Sequence, residues 1–346
     1  MIKAGIIGAT GYAGQELIRL LYNHKSVELI YLSSHSYEGM KLSEVYPNFT
    51  GIIDTKLVNM NADQMSDDCD VIFFALPHGL AAGQISEGLL KKVKIIDLGA
   101  DFRLKDKEIY ENWYKVKHPT PFFLEESVYG LCELNREKIK NARIVANPGC
   151  YTTCSITSLA PLVEKKIIDL SSIIIDAKSG VSGAGRSLSL PTHFTESNES
   201  FKAYGIGTHR HTPEIEQELS VIAGKDIILS FTPHLIPMNR GILTTVYASL
   251  TKDISSNEIV DLYKNFYKDE KFIRIYPDGS LPETRFVRNS NFVDIGIKTD
   301  PRTNRVIIVG VIDNLIKGAA GQAVQNMNIM FGINEDSGLN AVPTVI

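Results

Sequence analysis

Residues 5–14 read GIIGATGYAG, so that Gly8, Gly11 and Gly14 stand between an apolar strand-like run and a helix-like segment. Glycines at this point let the chain turn tightly and let backbone N–H groups approach a pyrophosphate, which binds at the positive end of the following helix. A glycine triplet alone is weak evidence, because an ordinary tight turn also uses it. Its place in a β-α-β unit favours a dinucleotide-binding loop.

The alternation of strands and helices continues to about residue 146. The strand-like runs show little period-two alternation, which is typical of parallel strands buried on both faces. This predicts an α/β domain with a doubly wound, Rossmann-type parallel sheet. The predicted strands are 3–8, 27–33, 71–76, 93–98 and 142–146, and the predicted crossover helices are 11–23 and 80–92.

The second half of the chain has a different pattern, in which several strands follow one another without a helix long enough for a crossover. This favours an α+β domain with a mainly antiparallel sheet covered by helices on one face. A Gly/Ala-rich helix at 318–331 is expected to return to the first domain. We predict strands at 172–178, 227–232, 241–250, 292–298 and 305–313, and helices at 152–164, 213–222 and 256–267.

Length and charge limit the class of protein. A chain of 346 residues exceeds one ordinary core, so two domains are expected, 1–148 (completed by about 314–346) and 149–313. The 36 basic and 40 acidic side chains give a net charge of -4, which offers no electrostatic surface for nucleic acid or an anionic membrane. No signal peptide and no apolar run of about 20 residues is found, so we expect a cytoplasmic location.

Residues 147–151 read NPGCY and place Cys150 at a turn between an apolar run and a predicted helix. A helix N-terminus stabilises a thiolate, which makes Cys150 a candidate nucleophile. The other cysteines lack such a position and are expected to be structural. They are Cys69, Cys132 and Cys154.

Two histidines, His209 and His211, precede Thr212-Pro213, which is typical of a helix start. Either histidine is a candidate proton donor and acceptor beside the thiol, and ordinary loop histidines are the alternative. The spacing also fits a metal pair, but no further histidine or cysteine cluster completes a ligand set. We therefore predict no metal.

The small-residue segment 178–186 has a cation at each end, Lys178 and Arg186. Consecutive backbone N–H groups and a guanidinium suit a phosphate or carboxylate, although a glycine loop without function is the alternative. Arg240 adds another cation beside a strand start. From this pattern we predict substrate binding by Lys178, Ser179, Gly180, Arg186 and Arg240.

The second predicted strand ends Ser33-Ser34-His35, without an acidic residue. NAD enzymes usually hold the ribose 2′-hydroxyl with an acid at this point, so its absence leaves space for a 2′-phosphate. NADP is therefore the predicted cofactor. Only His35 and Lys41 supply positive charge nearby.

The chain closely resembles the N-acetyl-gamma-glutamyl-phosphate reductases, the arginine-biosynthesis members of the semialdehyde dehydrogenase family. The resemblance extends from residue 5 to about residue 332. The matching segments are GIIGATGYAGQEL, FFALPHG, DLGADFRL, YGLCELNR, NPGCY, KSGVSGAGR, HRHTPEI, FTPHLIPMNRGIL and DNLIKGAAGQAVQNMN.

The resemblance implies a homodimeric or homotetrameric enzyme that uses NADP(H) to reduce N-acetyl-L-glutamyl 5-phosphate to the 5-semialdehyde with release of phosphate. Cys150 matches the family nucleophile, and one residue of the His209/His211 pair matches its acid/base, with His209 favoured. Related chains often have arginine where His35 stands. The cofactor residues implied are Gly8, Thr10, Gly11, Tyr12, Gly14, Ser33, His35, Pro77, Ser182, Gly183 and Asn314. The resemblance also implies that Arg103 and Asn147 bind substrate, in addition to the substrate residues predicted above.

Three other functions compete with this prediction. The first is a reductase for aminoadipyl phosphate, an acyl phosphate one carbon longer. The two substrates differ by one methylene, which changes the binding free energy by only about 1–3 kcal/mol. A nucleotide-binding regulator without catalysis does not explain Cys150 together with both histidines. A cysteine hydrolase does not explain the glycine loop.

Overall fold

The computed structural model describes residues 1–345, which divide into two compact units. Unit 1 contains Met1–Pro148 and Ala319–Asn340, and unit 2 contains Gly149–Gly318 and residues 341–345.

Unit 1 is built on a six-stranded sheet of order β2-β1-β3-β4-β6-β5, in which every neighbouring pair is parallel. Two interior strands, residues 71–74 and 144–146, are buried along their whole length, which explains why their sequences are uniformly apolar. The predicted Rossmann-type sheet is confirmed. The strands are β1 (Ile2–Ile7), β2 (Val27–Ser33), β3 (Val71–Phe74), β4 (Lys94–Asp97), β5 (Val128–Tyr129) and β6 (Ile144–Ala146).

The helices of unit 1 are shorter and more numerous than the sequence pattern predicts. The continuous helix predicted at 80–92 is wrong, because Ser86 has an extended backbone and its hydroxyl accepts the Leu89 N–H as the cap of a new helix. A 3-10 turn, Ala82–Gln84, lies before this break. The helices are α1 (Tyr12–Tyr22), α2 (Leu42–Val45), α3 (Ala62–Met65), α4 (Glu87–Leu90), α5 (Lys107–Tyr114) and α6 (Cys132–Lys140).

Unit 2 is built on a seven-stranded sheet of order β11-β12-β13-β10-β7-β9-β8. Pairing is antiparallel except between β7 and β9 and between β11 and β12, which confirms the mainly antiparallel prediction. The strands are β7 (Ile174–Gly180), β8 (Lys202–Ala203), β9 (Ser230–Ile236), β10 (Ile242–Ser249), β11 (Ile273–Ile275), β12 (Val293–Asp300) and β13 (Arg305–Ile312).

One face of this sheet is covered by helices. Thr244 of β10 bonds to Cys154 of the helix α7, and Ala177 pairs with Thr244 and therefore shares its face. Successive residues of β10 alternate between buried and half-buried, as expected of a sheet with one covered face. The helices of unit 2 are α7 (Cys150–Glu164), α8 (Phe194–Ser197), α9 (Thr212–Ala223) and α10 (Ser256–Phe266).

The last helix, α11 (Gly321–Met330), belongs to unit 1, as predicted for the C-terminal helix. All of its residues are buried, and it packs against α1, α6 and β4. Small side chains let a helix approach its neighbours closely, which explains the Gly/Ala-rich composition at its start. A π-helical segment, Ile316–Ala320, precedes it.

Candidate active site

The glycine loop between β1 and α1 needs glycine at two of its three positions. Gly8 has φ +90°, and a Cβ on it would lie 2.3 Å from the Ala75 carbonyl oxygen. A Cβ on Gly14 would lie 2.3 Å from the Gly8 carbonyl oxygen. A Cβ on Gly11 would meet only that same oxygen, at an ordinary 3.6 Å. Close backbone packing therefore explains Gly8 and Gly14 but not Gly11.

The N-terminus of α1 has the features of an anion site. Its N-cap is Gly11, which has no side chain to cap the helix, and the first turn contains no acidic residue. The N–H groups of Gly8 and Ala9 donate to the Ser33 carbonyl oxygen, which holds the loop against the end of β2. The first-turn N–H groups of any α-helix lack intrahelical partners, so a pyrophosphate fits this end of α1.

The side chains around this loop form a small buried network. The Thr10 hydroxyl bonds to the Ser34 hydroxyl at 2.8 Å, and the Ser33 hydroxyl donates to the Met60 carbonyl oxygen. Ser33 is therefore used by the protein itself, whereas His35 after it is exposed. The tip of β2 presents no acidic side chain between residues 33 and 35, in agreement with the sequence.

Helix α7 begins at Cys150 itself, two residues before the predicted start. Its N-cap is Gly149, in an extended conformation, so Cys150 occupies the first helical position. A Cβ on Gly318 would lie 2.7 Å from the Cys150 Cβ, so only glycine fits beside the nucleophile candidate. Cys150 is partly exposed, and its place at a helix N-terminus suits a thiolate.

The other three cysteines are buried. Burial raises the pKa of Cys69 to about 11 and that of Cys154 to about 12. Cys132 is also the first residue of a helix, but it is fully buried and bonds to the Asn326 side chain at 3.1 Å. Accessibility therefore distinguishes Cys150 from Cys132, since both occupy a helix start.

The two candidate histidines lie around the residue next to the nucleophile. The Tyr151 ring contacts the His209 ring at 5.7 Å and the His211 ring at 6.0 Å between centroids, and the two histidine rings lie 4.8 Å apart. Phe231 and Tyr204 also pack edge-on against His209. Both histidines thus lie in an aromatic cluster of unit 2 around Tyr151.

The environment of His209 selects its protonation state. Burial first, then the charges of His211 and Arg210, lowers its pKa to about 3, so the ring is neutral at neutral pH. Its Nδ1 accepts the His211 backbone N–H at 3.1 Å. The proton of the neutral ring must then be on Nε2, which makes His209 a hydrogen-bond donor through that atom.

Glu214 is not among the residues predicted from the sequence, yet it is fully buried against the start of α7. Its Oε1 accepts the Gly149 N–H at 2.9 Å and the Thr152 hydroxyl at 2.8 Å. The only sequence signal was an acid in the first turn after Thr212-Pro213, which predicts a cap for its own helix. Its actual partners are on α7.

The segment 178–186 does not form the predicted row of free N–H groups. The N–H groups of Gly180, Val181 and Ser182 donate to the carbonyl oxygens of residues 241, 238 and 239. A Cβ on Gly180 would lie 2.6 Å from the Asn239 carbonyl oxygen, so this glycine serves close backbone packing. Arg186 lies just after the 3-10 turn Val181–Ala184 and is half-buried.

Lys178 and Ser179, both predicted to bind substrate, lie on opposite faces of β7. Successive side chains of β7 point to opposite faces, and Ser179 shares the α7 face with Ala177. Lys178 therefore points away from α7, where it forms an ion pair with Asp176 at 2.5 Å. The same Asp176 contacts His234.

Three predicted cofactor residues do meet in unit 2. The Asn314 side chain donates to the Ser182 hydroxyl at 2.9 Å and accepts the Gly241 N–H at 2.7 Å. A Cβ on Gly183 would lie 3.8 Å from Asn314 Nδ2, within contact distance. Nearby in sequence, Arg240 donates to Asn289 at 2.7 Å and lies 3.4 Å from Asp313.

Two predicted substrate residues, Arg103 and Asn147, brace the end of unit 1 that precedes Cys150. Arg103 Nε donates to the Asn147 carbonyl oxygen, and Nη2 donates to the Leu98 carbonyl oxygen, both at 2.8 Å. The Asn147 side chain bonds to Ala319 and Asn326. Both residues are buried, and these contacts give them a structural role.

Two other predicted cofactor residues lie in unit 1. Pro77 follows β3 by three residues, and Tyr12 is the first residue of α1.

Within residues 1–345, no three His, Cys, Asp or Glu side chains are arranged to hold a metal ion. Over the same residues, none of the helices combines the length and apolar composition needed to cross a membrane.

Comparison with known proteins agrees with this geometry. Residues 3–142 match the family model described as "Semialdehyde dehydrogenase, NAD binding domain", and residues 150–314 match "Semialdehyde dehydrogenase, dimerisation domain". The second match begins at Cys150 and includes His209, His211 and Asn314. Among solved structures, aspartate semialdehyde dehydrogenase II of Vibrio cholerae aligns with a TM-score of 0.71 at 17% identity, covering 96% of this chain and 98% of the other. The Candida albicans aspartate semialdehyde dehydrogenase solved with NADP aligns with a TM-score of 0.68 at 19% identity, covering 96% and 98%.

Much closer similarity is found among curated sequences. The N-acetyl-gamma-glutamyl-phosphate reductase of Lachnospira eligens is 56% identical over 345 residues, 99% of both chains. The enzyme of the same name from Campylobacter jejuni is 56% identical over 338 residues, 98% of both chains. Identity at this level over the full length shows common descent and a common fold. The chain therefore belongs to the N-acetyl-gamma-glutamyl-phosphate reductase family of the semialdehyde dehydrogenases.

Proposed function

We propose that this protein reduces N-acetyl-L-glutamyl 5-phosphate to N-acetyl-L-glutamate 5-semialdehyde and phosphate with NADPH, in L-arginine biosynthesis. The observation that supports this most strongly is Cys150, a partly exposed thiol at a helix start. It stands beside an aromatic-histidine cluster, in a chain 56% identical to enzymes of that name.

Cys150 is the proposed nucleophile. Its sulfur attacks the acyl carbonyl, a C–S bond forms, and the C–O bond to phosphate breaks, with the electron pair leaving on the phosphate. The product is a thioester on Cys150, so that one difficult reduction becomes two easier steps. Loss of the sulfur from the reduced carbon later releases the aldehyde and restores the thiolate.

The histidine pair supports the charge that develops on the substrate oxygen. We assign His209 as the donor, because its neutral ring has the proton on Nε2 and its Nδ1 is held by the His211 N–H. A pre-oriented donor at a developing oxyanion stabilises the transition state. His211 is the second candidate for proton transfer.

The cofactor site rests on unit 1. When bound, NADPH supplies the hydride, which a thioester accepts more readily than a carboxylate does. The first turn of α1, with Gly8, Gly11 and Gly14, would hold the pyrophosphate, and the other cofactor residues predicted from the resemblance would complete the site. The absence of an acid at the tip of β2 favours NADPH over NADH.

The substrate-binding residues remain proposals, and the geometry leaves fewer of them than the sequence predicted. Arg186 and Arg240 are retained as cations for the phosphate or carboxylate groups, with Ser179 and Gly180 beside them. Lys178 is left out, because it faces away from α7. Arg103 and Asn147 are retained as residues that support the turn before Cys150.

The protein is expected to form oligomers, since residues 150–314 match a dimerisation domain. We propose a homodimer or homotetramer that uses the sheet face opposite α7, where Ile174 is 39% exposed. Four free cysteines agree with a reducing compartment, for which we propose the cytoplasm. Sedimentation measurements would determine the oligomer size.

The decisive assay runs the reaction in reverse. Purified protein receives N-acetylglutamate semialdehyde, phosphate and either NADP or NAD, and absorbance of the reduced nicotinamide is recorded. We expect phosphate-dependent reduction of NADP, with a slower reaction for the aminoadipate analogue. No phosphate-dependent signal with either semialdehyde would refute the function, and faster turnover of the longer substrate would replace the proposed substrate.

A further inference from the structure

Glu214 connects the histidine-bearing segment to the helix that carries the nucleophile. It lies in the first turn of α9, two residues after the helix start at Thr212. Its side chain is fully buried, yet its Oε1 lies 2.9 Å from the Gly149 nitrogen and 2.8 Å from the Thr152 hydroxyl oxygen. Gly149 is the N-cap of α7, and Thr152 is its third residue. A carboxyl group of one helix therefore caps the other.

Helix α7 has no complete cap of its own. In a capping box, the N-cap side chain accepts from the third residue, whose side chain accepts the N-cap N–H in return. Gly149 has no side chain, and the Thr152 hydroxyl lies within bonding distance of both Gly149 O and Glu214 Oε1. Glu214 takes the place of the missing acceptor for the Gly149 N–H. The peptide unit that leads into Cys150 is thereby fixed.

We propose that Glu214 is a positioning residue, which sets the direction in which α7 presents the Cys150 sulfur; this inference rests on the proposed function. Its Oε1 holds the Gly149 N–H on one side of the turn, and Gly318 approaches the Cys150 Cβ on the other. With both contacts in place, the Cα–Cβ bond of Cys150 has a single direction. Without the Glu214 acceptor, the turn can rotate and the sulfur leaves its attack geometry.

Three substitutions separate hydrogen bonding from charge and reach. Glu214→Gln keeps an oxygen acceptor at the same length but removes the charge. Glu214→Asp keeps the charge but is one methylene shorter, and Glu214→Leu removes the acceptor. The matched control is Glu216→Leu, because Glu216 also lies on α9 but accepts the backbone N–H of Leu229, at 3.0 Å, rather than one of α7.

For each variant, we would measure kcat, KM, thermal unfolding, and the pH dependence of Cys150 alkylation by iodoacetamide. Glu214→Leu and Glu214→Asp are expected to lower kcat by about 100-fold with little change in KM, as for a misplaced reacting group. Both are expected to change the alkylation profile. Glu214→Gln keeps most of the rate. Glu216→Leu lowers the unfolding temperature but leaves kcat and alkylation unchanged.

The proposal is overturned if folded Glu214→Leu retains the wild-type kcat and alkylation profile, or if Glu214→Gln is as impaired as Glu214→Leu. If Glu214→Leu fails to fold, Glu214→Asp provides the test instead. A wild-type kcat and a wild-type alkylation profile for Glu214→Asp would then reject the proposal. Alkylation needs no substrate, so its profiles test positioning even if the wild-type protein proves inactive in the reductase assay. An inactive wild type would refute the proposed function alone.

Discussion

The glycine loop between β1 and α1 allows a sharp test, because its glycines are required for different reasons. A Cβ on Gly14 would lie 2.3 Å from the Gly8 carbonyl oxygen, 2.8 Å from the Ala9 carbonyl carbon and 2.9 Å from the Ala9 Cα. All three are backbone atoms, so no side chain can rotate to make room. A Cβ on Gly11 would meet the Gly8 oxygen at 3.6 Å, an ordinary contact.

The expected cost of Gly14→Ala follows from these distances. Overpacking costs about 1–3 kcal/mol, and a contact with rigid backbone belongs at the upper end of that range. Alanine recovers about 1 kcal/mol of helix propensity within α1. The net loss is about 2 kcal/mol of unfolding free energy, which lowers the melting temperature of a domain of this size by roughly 4–8 °C.

Gly11→Ala should behave differently. The site has room for a methyl group and φ is -76°, so the melting temperature changes little beyond the small cost of alanine at an N-cap. The methyl group would, however, stand at the helix end where we propose that the pyrophosphate binds. We therefore expect weaker NADPH binding with a nearly normal melting temperature.

Thermal unfolding followed by circular dichroism, together with fluorescence titration of NADPH, measures both quantities. Gly14→Ala should lose stability and cofactor affinity, and Gly11→Ala should lose affinity alone. If the two variants melt at the same temperature, or if Gly14→Ala melts like the wild type, close packing at Gly14 does not explain the glycine.

Three further predictions concern the thiol, the histidines and a buried acid. Cys150→Ser should abolish turnover while NADPH affinity stays nearly unchanged, and retention of more than about a tenth of the rate would reject the nucleophile. His209→Asn should lower kcat by about 100-fold or more, because it removes a pre-oriented donor; if only His211→Asn does so in the same assay, the roles are exchanged. Asp97 is fully buried, and this burial, together with the nearby charge of Asp101, raises its pKa from 3.8 to about 7. Ionisation of Asp97 therefore opposes folding, and the wild type loses stability as the pH rises from about 4 to about 7. Asp97→Asn, which keeps an acceptor for the Gly99 N–H, should therefore gain melting temperature relative to the wild type between pH 5 and pH 8, whereas parallel curves would contradict this.

The strands were the most predictable part of the fold. The run predicted at 27–33 is β2 with the same bounds, because its residues are mostly aliphatic or aromatic, which favour strands, and it ends at the polar pair Ser33-Ser34. The helix predicted at 80–92 failed because its pattern of apolar residues is also compatible with two short helical turns. The Ser86 cap that separates them is a local hydrogen bond, which periodicity does not reveal.

The candidate site was predictable where its residues are neighbours in sequence. Cys150 and the glycine loop were found because each stands at a strand-to-helix turn, where backbone chemistry limits the residue types. The role of Glu214 was not predictable, since its partner lies 65 residues away along the chain. The tautomer of His209 likewise depends on burial among rings contributed by separate elements.

The sequence alone predicted an α/β unit with a parallel sheet, an α+β unit with a mainly antiparallel sheet, a candidate dinucleotide loop and one candidate thiol, because glycine, strand and helix patterns are local consequences of backbone geometry. Only the tertiary structure decided which side chains surround the start of the helix that carries that thiol. It turned Lys178 away from α7, placed the Glu214 side chain against Gly149 and Thr152, and enclosed His209 among aromatic rings. The physical reason is that strand pairing and helix packing bring together residues from distant parts of the chain, and no local pattern records which faces will meet.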